Sequence, residues 1–176
     1  MTTSHWSKLA TKFEPILVVS AQRGVATSLA EMMRGLGPVP EVLWAGTTAD
    51  AWRYMEAAHP KLIIMEQVGR DFDGLELTQK LRRSPYSSRR SAVIMISDEA
   101  TVAAMRAAQN AGAHEFLVRP FAAIDLARRL EAICVVPRNW IEAQMYVGPD
   151  RRRFNSAAKG PERRQRKVPA APPATS

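Results

Sequence analysis

At 176 residues, 46% of them apolar, the chain can bury one good core and is short for two domains. Its single cysteine, Cys134, excludes an internal disulfide, and no apolar run approaches the roughly 20 residues that span a bilayer, which excludes membrane insertion. The net charge of +8 is uneven: residues 137–176 hold nine Lys and Arg against three Asp and Glu, so the basic character belongs mainly to this segment.

Residues 1–14 read as an N-terminal extension. Nothing there joins a basic start to an apolar run and a cleavage site, so a cytoplasmic location is expected. From residue 15 to 136, β-branched apolar runs alternate with stretches of helical period. Strand Ile16–Ser20 leads to helix Gln22–Leu36, where Leu29, Met32, Met33 and Leu36 recur at three and four residues and share one face. Strand Val42–Ala45, helix Thr48–Ala58, strand Leu62–Glu66 and helix Asp73–Arg83 follow. Strand Val93–Ser97, helix Glu99–Ala111, strand Glu115–Val118 and helix Ala122–Cys134 complete the series, with Thr47 and Ser97 as N-cap residues.

This alternation predicts an α/β fold with a doubly wound, five-stranded parallel sheet. Ligands of such sheets gather at the carboxyl ends of the strands, which selects Ser20, Ala21, Glu66, Ser97 and Arg119.

Beyond Cys134, repeated prolines in an Arg-, Ala- and Ser-rich stretch predict a disordered or partly helical tail over 137–176. Trp140 lies four and five residues before Gln144 and Met145, and Ile141 three to five before Gln144, Met145 and Tyr146, as a short helix allows. The run Gly148-Pro149-Asp150-Arg151-Arg152 returns as Gly160-Pro161-Glu162-Arg163-Arg164. Two copies are too few for a solenoid.

Four blocks together are specific: Ile16-Leu17-Val18-Val19-Ser20, Pro60 to Glu66, Asp73-Gly74-Leu75-Glu76-Leu77, and Ala111 through Phe121. In order and spacing they resemble the receiver domain of two-component response regulators, whose fold is flavodoxin-like. The resemblance implies a strand-end acidic pair that holds a divalent cation, a phospho-acceptor Asp, a hydroxyl residue and a Lys before a cis proline. Here those positions carry Ser20 and Ala21, Glu66, Ser97, and Arg119 before Pro120.

Magnesium requires octahedral oxygen ligands, and neither Ser20 nor Ala21 supplies a carboxylate. Phosphoryl transfer rests on positioning and on charge neutralisation by the metal, so a pseudo-receiver without normal phosphorylation is expected. Two readings of Glu66 stay open: a bidentate pair with Arg119, or a fixed charge that imitates the phosphorylated state. Ser97 is either an N-cap or the family's coupling hydroxyl. Dispersed His5, His59 and His114 show no metal-ligand spacing, and no catalytic triad or phosphate-cradling glycine loop is present. Neither an enzymatic activity nor a cofactor is therefore expected.

The resemblance places a signalling face at the fourth helix, fifth strand and fifth helix, with Met105, Phe116, Asp125, Arg128 and Arg129. In the tail, Trp140, Tyr146, Arg151, Arg152, Arg153, Arg163 and Arg164 are candidate binding residues, because guanidinium groups match phosphate and aromatic rings stack on bases. A protein partner such as a signalling kinase, regulator or effector leads. A guanine dinucleotide second messenger, nucleic acid, a homodimer contact and a purely solubilising tail are the alternatives. Asp150 and Glu162 inside the repeats weigh against nucleic acid.

Overall fold

The computed structural model describes residues 11–39, 41–135 and 137–153. Strands β1 (Ile16–Val19), β2 (Val42–Ala45), β3 (Leu62–Glu66), β4 (Ala92–Ser97) and β5 (Glu115–Val118) form one parallel sheet in the order β2-β1-β3-β4-β5. Helices α1 (Arg23–Arg34), α2 (Thr48–Ala57), α3 (Gly74–Arg83), α4 (Val102–Ala111) and α5 (Ala123–Val135) connect and cover it. This is the doubly wound five-stranded architecture expected from the alternation.

Apart from Glu66, Ser97 and Glu115 at strand ends, the strands are apolar, because both sheet faces are covered. Ile16 and Val18 pack with Leu29 and Met33 of α1 and with Leu126 and Leu130 of α5. Their neighbours Leu17 and Val19 point the other way, towards Met55 of α2, Leu77 and Leu81 of α3, and Ala108 of α4. Burying each large aliphatic side chain contributes about 2 kcal/mol. Met33 and Met55 are fully buried and fill the core.

Helix starts are fixed locally. Thr47 Oγ1 accepts the Asp50 N–H at 3.1 Å, and Asp73 Oδ1 accepts the Leu75 and Glu76 N–H groups at 2.7 and 3.1 Å. Gly74 opens α3 against the end of β3, donating its N–H to the Gln67 carbonyl at 2.9 Å. A Cβ there would run into the Glu66 carbonyl, so this approach requires glycine and seats Glu66 at the strand end.

Three expectations are corrected. Helix α4 begins at Val102 rather than Glu99, and its N-cap is Thr101, whose hydroxyl accepts the Ala104 N–H at 3.0 Å. Ser97 therefore does not cap the helix. Its Oγ accepts the Glu99 N–H at 3.1 Å and makes a tight turn instead.

Second, the segment after α5 is not a short helix but an antiparallel hairpin, β6 (Trp140–Ala143) with β7 (Tyr146–Pro149). Trp140 and Glu142 both reach the arginines of the α3–β4 connection, and residues two apart share a face in a strand and not in a helix. Third, the folded unit exceeds 15–136 at both ends. Phe13 is buried in the core, and residues 138–153 pack against the domain.

Candidate functional site

The carboxyl ends of β1, β3, β4 and β5 bring Ser20, Ala21, Glu66, Ser97 and Arg119 to one edge of the sheet. Glu66 ends β3 and Arg119 follows β5. Arg119 Nη2 donates to Glu66 Oε1 at 2.6 Å, with the two side chains 29% and 15% exposed. The other carboxylate oxygen, Oε2, accepts the Ala21 N–H at 3.3 Å. Arg119 Nη1 also lies 3.4 Å from Asp98 Oδ1, a side chain 79% exposed. The Arg119 backbone N–H donates to the Ser97 carbonyl at 3.0 Å, and the Arg119–Pro120 peptide is cis.

Ser20 is buried, and its hydroxyl is spent locally, donating to the Gln22 carbonyl at 3.1 Å and accepting the Gln22 N–H at 3.2 Å. These residues do not fit the divalent cation that the family resemblance implies. Both oxygens of Glu66 already accept N–H groups, Ser20 turns into its own loop, and Ala21 brings no oxygen. Among the described residues no group of three or more His, Cys, Asp and Glu could hold a metal ion.

The expected signalling face is partly turned inward. Phe116 is buried with Leu77, Met95 and Leu81, and Met105 packs on that cluster. Asp125 Oδ2 accepts the Ala122 N–H at 3.0 Å at the start of α5, and its Oδ1 lies 3.7 Å from exposed Arg128. Arg129 faces Glu115 at 3.2 Å rather than solvent.

The opposite end of the sheet holds a buried polar assembly that sequence reasoning missed. Arg82 of α3 is fully buried. Nε and Nη2 donate to the Gly112 carbonyl at 2.9 and 2.8 Å, and Nη1 donates to the Arg89 and Ser91 carbonyls at 2.6 and 2.9 Å. The remaining Nη2 proton points to His114 Nδ1 at 3.3 Å. Among the described residues no carboxylate meets this guanidinium; carbonyl dipoles do, one of them at the negative C-terminal end of α4. Burial pushes Arg82 down to about 9, still far enough above neutrality to keep it charged.

His114 Nδ1 also accepts the Val93 N–H at 3.1 Å, so the ring proton sits on Nε2. Burial, then Arg82 and Arg138, hold His114 well below its ordinary value of 6.5. The unfolded chain therefore binds a proton that the folded chain refuses. Stability is whole above about pH 6.5 and falls by up to about 1.4 kcal/mol per unit below it, until pH passes the folded value. His114→Gln, whose amide oxygen can still accept the Val93 N–H, is expected to flatten that slope in urea titrations between pH 7 and 5. An unchanged slope would assign it to other groups.

Glu115, at the start of β5, is fully buried and pairs with Arg138 at 2.5 Å as well as with Arg129. Burial pushes its carboxyl up against the pull of both arginines. The hairpin covers this assembly. Trp140 has Arg90, Arg82 and Arg89 over its ring at 5.1, 5.4 and 5.8 Å, and Glu142 lies 3.3 Å from Arg89.

The first Gly-Pro-acid-Arg-Arg copy has structural tasks. Gly148, at φ 154°, passes close to Gly112, and the Pro149 carbonyl accepts the Tyr146 hydroxyl at 2.6 Å. Asp150 accepts the Arg152 N–H at 3.0 Å, and Arg151 stacks 4.5 Å above Tyr146 while donating to Asn110 at 2.7 Å. Trp140, Tyr146 and Arg151, expected as binding residues, are therefore engaged in cis, whereas Arg152 is exposed. The Arg153 side chain, Arg163 and Arg164 lie outside the described residues.

Two signals could have found the base assembly. Arg82 stands four residues after Thr78 and beside Leu81, on the buried stripe of α3. Glu115 opens an apolar strand run.

Against known proteins, residues 16–131 match the response regulator receiver domain. The chain is 30% identical over 128 residues to the cyclic di-GMP phosphodiesterase response regulator RpfG of Xanthomonas campestris, covering 73% of this chain and 34% of that protein. It is 29% identical over 116 residues to the DNA-binding transcriptional regulator NtrC of Azospirillum brasilense, covering 66% and 23%. The chain thus spans about a third or less of either relative. Among solved structures, the chemotaxis response regulator CheY4 of Vibrio cholerae has the same fold, with a TM-score of 0.59 at 19% identity over 67% of this chain and 96% of that one. The match over two thirds of the chain, together with the strand order and the blocks around Glu66 and Arg119, shows that the chain belongs to the response regulator receiver domain family.

Proposed function

We propose that this receiver signals by binding protein partners, without metal-assisted phosphoryl transfer. Receivers of this family interact with kinases and effectors in two-component systems. The observation that carries the reading is the Arg119–Glu66 pair at 2.6 Å, which occupies the acceptor position with a charge-assisted hydrogen bond where the chemistry would need a free carboxylate beside a cation. Ser20 and Ala21 support it, since neither offers the carboxylate a magnesium ion would need. The pocket is then a static ion pair, and specificity resides in the outer surface of an adaptor.

Incubating the full chain with acetyl phosphate and magnesium is expected to leave its intact mass unchanged. A stoichiometric phosphoryl adduct removed by Glu66→Gln would sink the reading.

A further inference from the structure

The geometry points to a docking groove for an acidic, extended peptide strand along the outer edge of β2. This strand ends the sheet, pairing with β1 alone, so among the described residues no strand covers its other side. The Glu41 and Ala45 carbonyls accept the Ile16 and Ser20 N–H groups, and alternation makes Leu43 the third inward-facing residue. Val42 and Trp44 therefore turn their backbone N–H and C=O groups outward, the arrangement that receives an added strand.

A groove of about 560 Å³ runs over this edge, between α1 and α2. Ala26 and Ala30 of α1, with Val42, contribute apolar lining among more polar surroundings. Trp44 is held as one wall: its Nε1 donates to the Ser20 carbonyl at 3.0 Å. Tyr54 of α2 forms another part of the lining.

Charge selects the occupant. Arg23 and Arg34 line the groove, are exposed, and make no ion pair among the described residues, whereas Glu41 is the sole acid in the lining. Arg23 opens α1 and lies 5.7 Å over the Trp44 ring; Arg34 closes the helix. Eleven residues of helix set their Cα atoms about 16 Å apart; strand residues four apart lie about 13 Å apart, a difference that the long arginine side chains take up. In a strand, positions one and five share a face. The fitting partner is thus a strand with acids four residues apart, paired to β2 through its backbone and to the two arginines through its ends. This surface is separate from the Glu66–Arg119 pocket, so it stands or falls independently of the proposed function.

The test uses the full chain and a capped pentapeptide, Asp-Val-Thr-Val-Asp, with its Lys-ended counterpart as control. Amide exchange by NMR is expected to slow about tenfold or more at Val42 and Trp44 with the acidic peptide, and to stay unchanged at Leu43, which is already paired. The double variant Arg23→Glu with Arg34→Glu, both on exposed positions, is expected to bind the acidic peptide at least about tenfold more weakly and to accept the Lys-ended one. Absence of slowing at millimolar peptide overturns the proposal, as does equal protection of the double variant. Protection at Val42 and Trp44 that instead rises with protein concentration, without peptide, assigns the edge to a second copy of this chain and overturns it too.

Discussion

Replacing Arg82 with leucine is expected to destabilise the chain by about 3–5 kcal/mol, a loss of roughly 10 °C in Tm. The cause is not a lost ion pair. The carbonyls of Gly112, Arg89 and Ser91 converge on one guanidinium, and an aliphatic side chain leaves all three without this donor, those of Gly112 and Ser91 buried. Lysine does not rescue, because one ammonium group cannot span the geometry that a planar fork of five donors satisfies. Trp140, which sits beneath this guanidinium, should show red-shifted emission as the hairpin loosens. Thermal unfolding of Arg82→Leu and Arg82→Lys beside the parent checks the claim. A shift under 3 °C for both would mean that the carbonyls find water instead.

The second large effect is at Arg138. Its removal leaves the fully buried Glu115 carboxylate with Arg129 alone, and breaking one side of such a pair costs about 3–5 kcal/mol. Arg138→Ala should therefore unfold at markedly lower urea. Removing both charges in Glu115→Gln with Arg138→Met should restore stability to within about 1–2 kcal/mol of the parent, because the penalty comes from the stranded charge rather than from the pair. Equal destabilisation of the single and double variants would instead assign the loss to packing of the hairpin connection.

The sheet, its five helices and the pocket positions were legible in the sequence because they rest on local pattern. Strands covered on both faces read as unbroken apolar runs, as in Ile16–Val19 and residues 62–65, and the helix cap Thr47 announces itself, whereas Asp73, read as the first helical residue, is the cap of α3. The Glu66–Arg119 contact was legible as one of two readings, since strand ends of a parallel sheet converge. Ser97 misled because a hydroxyl before a helix can serve a cap or a turn, and Thr101 took the cap. The hairpin was hidden by composition. Prolines and arginines outweighed the two-residue alternation of Trp140 and Glu142, and Arg82 looked like any surface arginine of an amphipathic helix. What made these residues structural was a contact between segments about sixty residues apart, which no local window contains.

Synthesis gives the hairpin a place in time. A chain grows from its N-terminus at about 5–20 residues per second, so everything through α5 is made before Arg138 and Trp140 exist. In that interval Glu115 has one arginine instead of two, and Arg82 has no indole over it. The last described segment to leave the ribosome therefore closes the base of the sheet, at the end away from Glu66 and Arg119.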